Sequence, residues 1–343
     1  MDKRLSRCAH NAKIAGSIPA PATNLGIVAQ LVRAPPCHGG GYEFEPRQFR
    51  HFVSVINYMI SIPVGVNIPI FKMQLDLFWY NHKKLYGNDA YNKVMAIIID
   101  KNDKQDRPRN NLLWDIDIPY KLCKSYNDFI EVNPDESFYK PLNIQYGLSQ
   151  ILNDFNDEQI IEVLDCDMFH MRHHPQININ DNELYVCDLY ENWHLKSLTD
   201  NKYFIDIYFE NNGNYYNGGF VPIVGKVKTF KKILHEWIEV HKHILTLNHS
   251  PLKKWWAGMF ALQASCEKNK ITMIAKETCY IPPINNLNDN HYICHYSVDP
   301  VFNKKNYPKI EFDKFPNNLY YNSILEWKHA AEEKQQTRFP FKE

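Results

Sequence analysis

The apolar and polar positions of the chain change rhythm repeatedly, and each change marks an element. KVMAIIID (residues 93–100) is a near-continuous apolar run that stops at Asp100 and gives way to the charged loop KNDKQDRPRN. Such a run predicts a strand buried on both faces. LNIQYGLSQILNDF (142–155) sets Ile144, Leu148, Ile151, Leu152 and Phe155 at helical spacing. IIEVLDCDM (160–168) returns to strand character. IFKMQLDLFWY (70–80) predicts an earlier strand, with NHKKLYG after it as a short helix or turn. An alternation of strand-like and helix-like segments from about residue 66 predicts an α/β domain with a largely parallel central sheet flanked by helices.

The second half is less regular. YFIDIYFE (203–210) and FVPIVG (220–225) read as strands on either side of the turn-rich NNGNYYNGG. TFKKILHEWIEVHKHIL (229–245) predicts an amphipathic helix with Thr229 as its N-cap. LKKWWAGMFALQASCEK (252–268) predicts another helix, ITMIAKETCYI (271–281) a strand, HYICHYSV (291–298) a short strand, and NSILEWKHAAEEK (322–334) a terminal helix.

Composition narrows the function classes. With 343 residues and 44% hydrophobic content the chain can bury a sizeable core. Lys+Arg and Asp+Glu both total 39, so no overall basic field argues for a nucleic-acid partner. The eight cysteines form no CxxC pair and sit mostly beside apolar residues, which predicts buried thiols in a reducing compartment and no zinc module. FVSVINYMISIPVGVNIPIF (52–71) is uncharged and long enough to span a bilayer, but its prolines, glycine and β-branched residues favour extended structure. The expected location is therefore cytoplasmic, without a membrane span.

Residues 1–58 read differently from the rest. AKIAGSIPAPATN (12–24) and VAQLVRAPPCHGGGYEFEPRQFR (28–50) resemble peptides produced when tandem transfer-RNA genes are translated. The resemblance implies a non-native or disordered extension over 1–58, with the true start downstream at Met59 or Met73. The expected organisation is then a catalytic domain over 59–310 and a C-terminal helical tail over 311–343. Residues 1–58 hold seven Lys/Arg and three Asp/Glu, so the remainder is mildly acidic. Rich use of Asn, Ile and Lys beside the transfer-RNA-like peptides suggests an AT-rich genome, viral or phage in origin.

The candidate chemistry lies at the end of IIEVLDCDM. On a strand, residues i and i+2 share a side, which would project Asp165 and Asp167 together at the carboxyl end, where open α/β sheets bind ligands. Two clustered carboxylates repel unless a cation neutralises them, and an all-oxygen pair suits Mg²⁺ or Mn²⁺. His170, His173 and His174 follow closely in FHMRHH, without the spacing of a compact zinc site.

The order of parts resembles nucleotide-sugar glycosyltransferases of the GT-A fold. The resemblance is carried by the helix PLNIQYGLSQILND (141–154), the motif LDCDM (164–168), YNGGF (216–220) and the late segment ICHYSVDPVFNKK (293–305). It implies Asp165 and Asp167 as catalytic metal ligands, with His295 completing the set and His291 as its competitor. It further implies Asn143 and Gln145 as contacts to the donor nucleotide, and Lys304 and Lys305 as contacts to its diphosphate. A narrower similarity, to peptidyl glycosyltransferases that modify hydroxyproline or serine, rests on WWAGMFALQASCEKNKI (255–271). Asn217, Gly218, Gly219, Trp255 and Trp256 become candidates for the acceptor side, with Ala257 and Gly258 standing where such families carry an acidic residue.

The implied reaction moves a sugar from a nucleoside-diphosphate donor, a uridine-diphosphate sugar being favoured, to a hydroxyl of a glycan or peptide. Inversion would need a carboxylate base, for which Asp188, Glu191, Asp206 and Glu210 all qualify. Two other readings stand beside it: a metal-dependent hydrolase or nuclease joining the Asp pair to the His170–His174 cluster, and a non-catalytic carbohydrate-binding protein.

Overall fold

The computed structural model describes residues 56–64, 68–100, 116–124, 140–187, 220–246, 257–282, 286–296 and 318–338. All of them belong to one compact unit, Ser54–Glu343. Its strands are β1 (Ile56–Val64), β2 (Val94–Asp100), β3 (Tyr120–Lys124), β4 (Ile160–Leu164), β5 (Met168–His170), β6 (Glu183–Cys187), β7 (Phe220–Lys226), β8 (Thr272–Lys276), β9 (Cys279–Tyr280) and β10 (Ile293–His295). The main helices are α1 (Ile68–Tyr86), α2 (Lys140–Ile151), α3 (Val227–Thr246), α4 (Ala257–Lys268) and α5 (Leu319–Arg338).

The expected α/β architecture is present. Seven strands form one sheet in the order β3-β2-β1-β4-β7-β6-β8, and β5-β10-β9 form a second, smaller sheet. In the large sheet β3, β2, β1 and β4 are mutually parallel, β7 is antiparallel to both β4 and β6, and β6 and β8 are parallel. The apolar runs explain the centre: Ala96, Ile97 and Ile98 of β2 and all five residues of β4 are buried.

Residues 70–80 are not a strand. They lie inside α1, although Phe71-Lys72-Met73-Gln74-Leu75-Asp76 alternates like one. The partly exposed residues Lys72, Asp76, Tyr80 and Lys83 recur every three or four positions, a helical stripe, while Gln74, the polar residue that completes the alternation, is buried. Pro69 in the first turn fits a helix start.

Thr229 does not cap a helix. α3 starts two residues earlier, and its first amides are met by loop carbonyls: Val227 N donates to Gln159 O (2.9 Å) and Lys228 N to Asp157 O (3.1 Å). Thr229 Oγ1 instead donates to Asp181 O (2.6 Å). Lys226 and Lys228 both pair with Glu158 and Asp181 at this end of β4 and β7, where Ile160 lies opposite Lys226. The site described below lies at the other end of β4.

The segment 271–281 is two strands rather than one. β8 joins the large sheet beside β6, and β9 joins the small sheet beside β10, with Glu277 and Thr278 between them. The C-terminal helix α5 packs on α1, where Trp327 Nε1 donates to Asp76 Oδ2 (2.9 Å) and Lys84 pairs with Glu326. β1 begins at Ile56, so its first three residues lie before the boundary expected after residue 58. YFIDIYFE (203–210) falls outside the described residues. Among the described residues, all six cysteines are buried outside disulfides, and no helix is long and apolar enough to cross a membrane.

Candidate functional site

β4 ends at Leu164 and β5 begins at Met168, so the two aspartates occupy the three-residue link between strands of different sheets. They are not alternate residues of one strand. Asp165 follows the last strand residue, and Cys166 and Asp167 form a turn. Local bonds shape it: Cys166 N donates to Asp165 Oδ1 (2.9 Å), and Asp165 N points at Met168 Sδ (3.3 Å).

The third member arrives by strand pairing. β10 runs antiparallel to β5 with His295 opposite Met168, which places His295 beside Asp167. Tyr296 N donates to Asp167 O (3.1 Å), extending the pairing into the turn. His295 Nε2 and Asp167 Oδ1 are 3.1 Å apart, and both residues are buried. One ligand atom each from Asp165, Asp167 and His295 lies within 4.8 Å of the others. Among the described residues no other group of three such side chains is this close.

The local field is negative. Burial, and after it the neighbouring Asp167 and Cys166, push the Tyr296 hydroxyl well above its ordinary value. Two carboxylates and an imidazole at this spacing are a donor set for a hard divalent cation, with oxygen in the majority. Asp165 is half-buried where Asp167 is buried, so Asp165 marks the side from which solvent or a ligand reaches the site.

The neighbouring histidines go elsewhere. His170 Nε2 and His174 Nε2 lie 3.6 Å and 3.8 Å from Glu162 Oε2. His173 is exposed, its ring 5.0 Å from that of Tyr86. His291 Nδ1 accepts from Asn288 N (3.0 Å) and its Nε2 lies 3.5 Å from Glu277 Oε1, so it turns away from competing with His295. Gln145 is buried on α2, its Nε2 3.4 Å from where a Cβ on Gly258 would stand, close to His241. Asn143 lies on α2 with its side chain outside the described residues. Also outside them are Lys304, Lys305, Asn217, Gly218, Gly219, Trp255 and Trp256, together with Asp188, Glu191, Asp206 and Glu210.

One residue escaped the sequence reading. Glu162 sits in mid-strand in IIEVL and is 0% exposed. A carboxyl inside a strand buried on both faces is costly without partners, and that mismatch was the available signal.

No family model matches the chain, and no curated protein matches it. Among solved structures, an active-site mutant of LgtC is similar over 80% of this chain and 96% of its own, at 10% identity and a TM-score of 0.46. The galactosyltransferase LgtC in complex with donor and acceptor sugar analogs is similar over 72% of this chain and 88% of its own, at 11% identity and a TM-score of 0.41. The apo structure of the bifunctional glycosyltransferase WbbM is similar over 81% of this chain and 50% of its own, at 14% identity and a TM-score of 0.44.

Proposed function

We propose that the chain is a metal-dependent glycosyltransferase that takes a sugar from a nucleoside-diphosphate donor, a uridine-diphosphate sugar by preference, and passes it to a hydroxyl of a glycan or peptide. The observation that carries this reading is the convergence of Asp165, Asp167 and His295 beyond the carboxyl end of β4, in a largely parallel sheet. That end of such a sheet is where α/β proteins bind their ligands.

Asp167 and His295 serve as the two inner ligands, a reading supported by their burial and by the pairing of β10 with β5. Asp165, half-buried, completes the set on the open side. When bound there, Mn²⁺ or Mg²⁺ supplies positive charge to the departing diphosphate. The chain's own part is to hold three donors at short range and to keep water from two of them. The hydrolase reading, in which His170, His173 or His174 joins the aspartates, loses its support: His170 and His174 face Glu162, and His173 faces Tyr86.

A donor screen tests the proposal. Sugar-nucleotide turnover is followed in the presence of Mn²⁺ for the full chain and for Asp167→Ala. Turnover of at least one donor, lost in the variant, is expected. Turnover of none, or equal turnover in both, overturns the reading.

A further inference from the structure

Glu162 stands three residues before Asp165, and Tyr292 stands three residues before His295. Tyr292 OH donates to Glu162 Oε1 at 2.6 Å, and both side chains are buried. Tyr292 is also held by its backbone: its N donates to Thr278 O (3.1 Å), and its O accepts from Met171 N (2.8 Å) and Arg172 N (3.1 Å). On the other side of the carboxyl, Glu162 Oε2 has no hydrogen-bond partner and faces His170 Nε2 and His174 Nε2. Tyr58 lies opposite Glu162 in the β1–β4 ladder.

Stability alone gives no reason for this cluster. A buried carboxyl with one orphaned oxygen costs free energy, and an apolar side chain of similar volume is usually as good or better in its place. The connection it makes is more telling. The β5–β10 ladder fixes His295 relative to Met168, but it fixes neither strand relative to β4, from which Asp165 hangs. The Glu162–Tyr292 bond runs between those two parts, from a strand of the large sheet to the residue just before β10, the central strand of the small sheet.

We propose that Glu162 and Tyr292 are positioning residues, whose hydrogen bond fixes β10 against β4 and so sets the separation between His295 and the two aspartates. The inference rests on reading that triad as a divalent-cation site. Neither residue touches the cation; each acts through the strand that carries a ligand.

The test is a Mn²⁺ titration of the full chain, followed by electron paramagnetic resonance, with thermal melts and Mn²⁺-dependent turnover on the same samples. Tyr292→Phe is expected to weaken Mn²⁺ binding by about 3- to 10-fold, below the ~10- to 100-fold typical of groups bonded directly to a metal ligand. The KM for Mn²⁺ should rise by the same factor, with kcat at saturating Mn²⁺ changing less. Glu162→Gln keeps a carbonyl that accepts the tyrosine hydroxyl and should retain most of the affinity, whereas Glu162→Leu should match Tyr292→Phe. Should Tyr292→Phe fail to fold, the contrast between Gln and Leu at position 162 decides.

Unchanged Mn²⁺ affinity in Tyr292→Phe with a lowered melting temperature would make the bond merely structural and overturn the proposal. Equal losses in Glu162→Gln and Glu162→Leu would do the same. If the unaltered chain binds Mn²⁺ no better than Asp167→Ala, the cation site itself is wrong, and this inference falls with it.

Discussion

Asp167 and His295 are 128 residues apart in sequence, yet Oδ1 and Nε2 stand 3.1 Å from each other, and both residues are buried. In the proposed function its negative charge is what this carboxylate would offer a cation. Asp167→Asn keeps the volume and removes the charge. It should lower Mn²⁺ affinity by about 100-fold, roughly 3 kcal/mol, with little change in melting temperature. A titration that leaves affinity within threefold of the parent would sink the assignment.

The packing of β6, β7 and α3 leaves no room at Gly225. A Cβ there would lie 2.3 Å from Leu184 Cδ2 and 3.1 Å from Phe230 Cε2, and both side chains are fully buried. Gly225→Ala should therefore cost about 1–3 kcal/mol through overpacking. Gly87 gives the contrast: nothing lies within 4 Å of its Cβ position, but its φ of +55° makes Gly87→Ala cost about 1 kcal/mol through the backbone alone. Urea denaturation of the two variants separates the mechanisms, since only Gly225→Ala should be relieved by trimming Leu184 to Ala.

Acid should destabilise the fold. Burial depresses His170 and His241 to about 3 and His82 to about 2, whereas in the unfolded chain each titrates near 6.5. These groups contribute stability that is complete above about pH 6.5 and is lost as pH falls toward the folded values, because the unfolded state then binds more protons. Glu162 works the other way. Burial raises its carboxyl, so the folded state keeps a proton that the unfolded state loses above about 4.5. Three histidines outweigh one carboxyl, and the denaturation midpoint should fall between about pH 7 and pH 5. A flat profile across that window would contradict the burial of these rings.

The start of the folded unit can be tested by truncation. β1 pairs with β2 on one side and β4 on the other, so a chain beginning at Met73 lacks a central strand and should not fold. A chain beginning at Met59 loses Ile56, Asn57 and Tyr58, and with Tyr58 a hydroxyl pair to Tyr86 at 2.6 Å. It should be measurably less stable than one beginning at Ser54, by circular dichroism and resistance to proteolysis. Equal melting temperatures would show that the strand's first three residues do not matter.

Much of this architecture was legible because burial writes itself into composition. β2 and β4 lie inside the sheet and read as apolar runs, interrupted in β4 only by Glu162; α3 buries one stripe and reads as a helix, and α2 reads as one from the spacing of Ile144, Leu148 and Ile151. α1 misled because it is buried around most of its circumference, so its few exposed residues carry the only period, and the short alternation of Phe71 through Asp76 masks it. The 271–281 segment misled because a change of sheet at Glu277 and Thr278 leaves little local trace. Asp165, Asp167 and His295 were brought together as expected, though by a turn and an antiparallel ladder rather than by strand alternation. The apolar run around Glu162 marks that carboxyl as in need of a partner, but no local pattern reveals Tyr292 as the partner, since their bond spans 130 residues.

The two sheets are joined by links of three residues, Asp165 to Asp167, and of two, Glu277 and Thr278. Such short connections keep the sheets from parting far, and on the proposal above the Glu162–Tyr292 bond restrains the sliding they still allow. The conformational entropy of bringing the three side chains together is therefore spent during folding, and under the proposed function an arriving cation would meet a preorganised seat instead of having to gather its own ligands.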